Sequence, residues 1–180
     1  MTKKATAMRD FFVLALDDRD DLRSVSDYEM GDFDLTAFWH GKPFLGTIPK
    51  DVKVFVDNGA SPDYMGNPLS WPICSDRLLR IIIPIAGKYV QCFPAPLYDE
   101  NDLKPITGYT IINVTRRINA LGQKRGSTGK VVLEEANIPP DAHLFRVVGR
   151  ETKLIVSQEF LAAIRGKELQ GLALIKTKCV

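Results

Sequence analysis

Apolar residues along the chain fall mainly into short runs and alternations of strand length, broken twice by a helical spacing. Phe11–Leu16 is an unbroken apolar run and predicts a buried strand. A polar, acidic stretch follows from Asp17 to Asp34. Leu35–Trp39 and Lys42–Leu45 flank His40-Gly41 and predict a hairpin. Val52–Val56 alternates with period two and predicts a strand, with loops at Asn58–Pro62 and Gly66–Pro68. Thr107–Val114, Val131–Leu133 and His143–Val148 read as further strands, the last two on either side of a turn at Asn137–Asp141. Residues 116–130, with Gly122, Gly126 and Gly129, read as a basic loop that begins as a helical turn.

The helical spacing occurs inside two strand–helix–strand units. In the first, Trp71–Cys74 is the strand and Ser75 the helix N-cap, with Leu78, Leu79 and Ile82 on one face. Pro84 disfavours helical geometry at the residue before it, so the helix is expected to end at Ile83. Tyr89–Phe93 then forms a strand before Pro94. In the second unit Lys153–Val156 is the strand and Ser157 the cap. The helix runs to Arg165 with Gly166 in the C-cap region, and Gly171–Lys176 is the last strand. A shift of 82 residues places Ile73 on Ile155, Ser75 on Ser157, Leu79 on Leu161 and Ile82 on Ile164. Neither copy has Glu or Gln at the third helical position, so neither is a capping box. Asp76 and Glu159 instead put a negative charge in the first turn, which the helix dipole favours by about 0.3–1 kcal/mol. The pattern fits an internal duplication or two separately capped helices. The expected class is α+β: mixed, mostly antiparallel sheet with two or three short helices. Residues 1–9 are expected to form a flexible N-terminus and 10–180 a single domain.

Composition adds little to this, and charge adds more. The 180 residues are 45% hydrophobic and 26% charged, ordinary for a globular protein, with a net charge of +2. Phe11–Leu16 is too short for a signal-peptide core, and Leu78–Ala86 is broken by Arg80 and Pro84, so no membrane partner is expected. Cys74, Cys92 and Cys179 form no disulfide framework, which fits a cytoplasmic location. Between Asp10 and Asp34, however, nine acids face only Arg19 and Arg23, whereas Leu103–Leu133 holds six bases and no acid. Each segment is either a solvated surface or a contact surface. An acidic face would steer a cationic partner. The basic segment, with Arg116, Arg117, Lys124 and Arg125, would suit nucleic acid but lacks interleaved aromatic residues for stacking on single strands.

Catalytic and metal motifs are sparse. His40 and His143 have no second ligand at helical or hairpin spacing, and no CxxC or HExxH occurs. A calcium loop counted from Asp17 would put Leu22 at its glycine position and Tyr28 at its terminal glutamate. Gly126–Lys130 lacks the remaining residues of a phosphate loop, and no serine lies in a GxSxG turn. An enzyme reading would need a site assembled from distant residues around Cys74, Cys92 or His143. No cofactor is implied.

An ordered set of segments resembles a known family. It comprises Pro68-Leu-Ser-Trp-Pro-Ile-Cys-Ser-Asp-Arg-Leu-Leu79, Val90-Gln-Cys-Phe-Pro94, Gly108-Tyr-Thr-Ile-Ile-Asn-Val114, Leu144-Phe-Arg146, Ile155-Val-Ser-Gln-Glu-Phe-Leu161 and Gly171-Leu172. Taken in that order, over residues 69–176, they resemble a bacterial immunity-protein family of polymorphic toxin systems. The family was formerly described as a domain of unknown function, and its members accompany contact-dependent and type VI-delivered effectors. It tends to place an acidic residue around Ala120-Leu-Gly122, which this chain lacks. The resemblance implies cytoplasmic protection by direct binding to a cognate toxin, with no catalytic set to carry over. Many toxin domains that act on nucleic acid are cationic. The acidic stretch is therefore the expected contact surface: Asp17, Asp18, Asp20, Asp21, Asp27, Glu29, Asp32 and Asp34.

Overall fold

The computed structural model describes residues 9–17, 19–122 and 131–180. The chain begins with β1 (Phe11–Leu16), β2 (Val25–Glu29), β3 (Lys53–Val56), β4 (Tyr64–Met65) and β5 (Ile73–Ser75), which leads into helix α1 (Asp76–Ala86). It continues through β6 (Val90–Pro94), β7 (Leu97–Asp99), β8 (Pro105–Ile106), β9 (Tyr109–Val114), β10 (Arg117–Ile118), β11 (Val132–Leu133) and β12 (Leu144–Val147). The last elements are β13 (Leu154–Ser157), helix α2 (Gln158–Ile164), β14 (Leu172–Lys176) and β15 (Lys178–Cys179). The sheets run β10-β12-β13-β1-β14, β4-β5-β9-β6, β2-β3-β7-β8 and β11-β15. Pairing is mostly antiparallel, with parallel contacts at β10/β12, β3/β7 and β11/β15, so the molecule is α+β as expected.

The two strand–helix–strand units share a register as well as a pattern. In the first, β5 and β6 both pair antiparallel with β9, through Ile73↔Ile111 and Phe93↔Ile111. In the second, β13 and β14 both pair antiparallel with β1, through Ile155↔Val13 and Ile175↔Val13. The 82-residue shift carries each outer residue onto its counterpart. A flanking strand pairs antiparallel with each unit as well, Tyr64 with Cys74 and Leu144 with Val156, though Tyr64 and Leu144 are offset by 80 residues, not 82. The central strand follows its unit in the first copy and precedes it, at the other end of the chain, in the second. The second sheet therefore places β1 beside strands from the far end of the described chain.

One face of each sheet packs against the helices. Leu78 and Ile82 of α1 and Phe160 of α2 share a buried cluster with Cys74, Ile112, Leu14, Leu144 and Val156. Burying a side chain of this size is worth about 1.5–3 kcal/mol. Pairs in this cluster again follow the repeat: Leu78 with Phe160, Cys74 with Val156. The opposite faces feed separate clusters, one around Phe38, Trp71 and Ile73, the other around Phe11, Phe145 and Ile155. Where the units meet, Gly171 has φ +79°, and a Cβ there would collide with the Tyr64 carbonyl oxygen.

Several sequence expectations are corrected. No hairpin forms at Leu35–Leu45, where the backbone runs through turns instead. Side chains take the bonds a ladder would have made. Arg146 donates to the carbonyls of Phe38 and Trp39, while Gln91 pairs with the Phe44 N–H at 2.8 Å and its carbonyl at 3.1 Å. Helix α1 continues past Ile83 and contains Pro84. Arg80 and Pro84 are both solvent-exposed, so the missing N–H costs little there, and the Gly87 N–H caps the Ile83 carbonyl. The acidic stretch holds β2, an edge strand with only Val25 buried, so it has no alternation to betray it. Residues 117–118 form a short strand, not a helical turn. Arg9, assigned by sequence to the flexible N-terminus, bonds Glu135 and the carbonyls of Ile138 and Pro139.

Candidate functional site

Both serines act as the sequence predicts. Ser75 Oγ accepts from the Leu78 N–H at 3.2 Å, and Ser157 Oγ accepts from the Glu159 N–H at 3.2 Å. Ser75 also donates to Asp63 Oδ1 at 2.6 Å, and the other oxygen of that buried carboxylate accepts from the Gln170 N–H at 3.0 Å. Sequence reasoning missed Asp63. It ties the first unit to the turn that enters β14.

Ser157 has a histidine and an acid nearby, which invites comparison with a nucleophile, base and acid. His143 Nδ1 lies 3.1 Å from Ser157 Oγ and 3.4 Å from Glu159 Oε2. A proton relay needs the two partners on different ring nitrogens, whereas here both meet the same one. Ser157 is also 2% exposed, so no substrate reaches its hydroxyl. Of the cysteines, Cys74 is buried in the helix-facing cluster, and burial pushes its thiol far above the ordinary value. Cys92 is exposed on β6 and its pKa is raised by partial burial, the opposite of an activated thiol. Cys74 on β5 and Cys92 on β6 flank the same strand, β9, whereas His143 lies in the bend before β12. Among the described residues no group of three or more His, Cys, Asp or Glu is placed to hold a metal ion. No described helix is long and apolar enough to cross a membrane.

The basic segment is partly neutralised. Arg116 pairs with Asp141 at 2.8 Å and stacks over Tyr89 at 4.6 Å, and Arg117 pairs with Glu151 at 2.9 Å. Both carboxylates come from the turns flanking β12, distant in sequence. Lys124 and Arg125 lie outside the described residues.

Among the described residues the most deeply placed cation is Arg146, 1% exposed. Its guanidinium donates to carbonyls of Val114 at 3.0 Å, Phe38 at 2.9 Å and Trp39 at 3.3 Å, and also to that of Glu151. Burial pushes its pKa down to about 10, still far above neutrality. Gly41, at φ +60°, passes so close that a Cβ would lie 2.6 Å from Arg146 Cδ. Arg146 is thus a pin that fixes the Phe38–Gly41 turn to the β9/β12 junction.

The acidic stretch behaves differently. Asp17, Asp20, Asp21, Asp27, Glu29, Asp32 and Asp34 are all exposed, and Asp18 lies outside the described residues. Two carry a basic partner: Asp21 with Arg19 at 2.6 Å, and Glu29 with Lys53 at 3.0 Å. The Arg19 hydrogen bond holds the Asp21 carboxyl below its ordinary value, and the Thr36 N–H does the same for Asp34. Asp27 and Glu29 lie two apart on β2, an edge strand, though a register irregularity precedes Asp27. Asp17, Asp20 and Asp57 line a cleft of about 250 Å3 together with Arg19 and Arg23. Asp57, which follows β3 and accepts from the Ser24 N–H at 2.7 Å, and Asp99 of β7, 3.7 Å from Arg23, join this surface. The sequence reading missed these two because they enter only through strand pairing.

Comparison with known proteins adds nothing to this surface. No family model matches the chain, and no curated protein matches it.

Proposed function

We propose that the chain is an immunity protein that neutralises a cognate bacterial toxin by direct binding in the cytoplasm, with no chemistry of its own. The observation that carries the reading is the surface built by the acidic stretch. All seven of its described carboxylates of the Asp17–Asp34 stretch are exposed, and five have no basic partner among the described residues. Holding like charges together at an edge strand costs stability through repulsion, and a cationic partner would relieve it. The ordered segments from Pro68 to Leu172 that resemble the immunity family support the same reading from another part of the chain: they build much of the two helix-packed sheets, whereas β2 of the acidic stretch pairs in a third sheet.

The reading is tested by mixing the purified chain with the protein encoded beside it. A stable complex that weakens with salt supports it, since attraction between exposed charges is screened beyond about 8 Å at physiological ionic strength. A neighbour that is no toxin, or that fails to associate at low salt, overturns it.

A further inference from the structure

A larger cavity, which shares Leu16 and Tyr64 with the acidic cleft, is not explained by toxin binding. It is a half-open groove of about 880 Å3 lined by residues of β1 and β14, the Tyr64–Trp71 segment and Val131–Val132. That volume lies within the range of small-molecule sites, roughly 300–1,000 Å3. Its accessible apolar lining comes from Val13, Leu16 and Ile175, the last 58% exposed, with Met65 and Trp71 buried behind them. Lys153, Lys176 and Lys178 also line it, and no carboxylate does among the described residues. Lys176 pairs with Asp10 at 2.8 Å, whereas Lys153 and Lys178 have no ion-pair partner among the described residues. An apolar cavity bordered by unpaired ammonium groups suits a ligand with one anionic end and a hydrocarbon body.

The chain's own undescribed segments do not fit this description. Residues 1–8 carry Lys3 and Lys4, and residues 123–130 carry Lys124, Arg125 and Lys130, with no acidic side chain in either. Either would bring like charge to the lysines, and 123–130 has no apolar side chain to cover Ile175.

We propose that this cavity binds a free fatty acid, with its alkyl chain against Val13, Leu16 and Ile175 and its carboxylate among the lysines. The proposal is independent of toxin neutralisation and fails or stands separately from it.

Titration of the full chain with dodecanoate, followed by calorimetry, tests it. Dodecanol serves as the uncharged control and phosphatidylglycerol vesicles as the membrane control. One dodecanoate per chain is expected. Affinity should fall about tenfold for dodecanol and for the Lys153→Ala, Lys178→Ala double variant, the loss expected for removing a charge-assisted contact. Ile175→Glu, at an exposed position that leaves folding intact by thermal melt, should abolish binding by placing a carboxylate beside the ligand. Absence of saturable binding overturns the proposal. So does equal affinity for dodecanol and dodecanoate, which would mark apolar adhesion only. Sedimentation with vesicles without binding of free dodecanoate would mark a membrane headgroup surface and also overturn it.

Discussion

Val13 and Ile111 hold the same register position in two sheets of one design: each is the central residue between the outer strands of a strand–helix–strand unit. Val13 pairs with Ile155 and Ile175, and Ile111 with Ile73 and Phe93, so both partners of one lie 82 residues from those of the other. Their surroundings differ. Ile111 is fully buried beside Trp71, whereas Val13 is half-buried and lines the large cavity. Ile111→Ala should cost about 2–5 kcal/mol, as for a large-to-small change in a closed core. Val13→Ala should cost about 1 kcal/mol, because part of its surface already faces open space. Urea denaturation measures both, and equal losses would contradict the asymmetry.

The two serine caps are unequal as well. Ser75 serves its helix and also donates to the buried Asp63, so Ser75→Ala removes a cap and strips a carboxylate of a partner. A loss of about 2–3 kcal/mol is expected, against about 1 kcal/mol for Ser157→Ala. Equilibrium unfolding of the two variants ranks them, and a larger loss at Ser157 would refute the Asp63 linkage.

Arg146 should tolerate no simple replacement. Arg146→Met leaves up to four backbone carbonyls without their donor, at a cost of about 3–5 kcal/mol. Arg146→Lys should recover little, because an ammonium lacks the planar fork that reaches several acceptors at once. Full stability in the lysine variant would show that charge alone holds the Phe38–Gly41 turn.

These residues mark how far the sequence could be read. Strands with a clear run or alternation, such as Phe11–Leu16, and helices with a serine cap were legible because their determinants lie within a few residues. The Leu35–Leu45 hairpin was misread because its backbone groups are claimed by Arg146 and Gln91, side chains far away in sequence. Strand β2 was invisible because an edge strand with one buried residue carries no periodicity. The acidic stretch was plain as composition. That Asp57 and Asp99 would join it depended on β3 pairing with both β2 and β7. The basic segment looked unopposed only because Asp141 and Glu151 approach from another part of the chain.

Charge reversal on the acidic surface separates docking from folding. Converting Asp17, Asp18, Asp20 and Asp21 to lysine should change stability little, since exposed charges and the exposed Arg19–Asp21 pair are each worth about 1 kcal/mol or less. Association with the toxin should slow by about tenfold or more at low salt and converge with the unaltered chain at high salt. Stopped-flow binding at several ionic strengths measures this, and unchanged association rates would exclude the patch.

The most direct test of the central claim is survival. Cells expressing the toxin encoded next to this chain should die without it and grow when it is co-expressed. Growth that stays arrested with the folded chain present, or an adjacent gene whose product does no harm, would contradict the immunity reading.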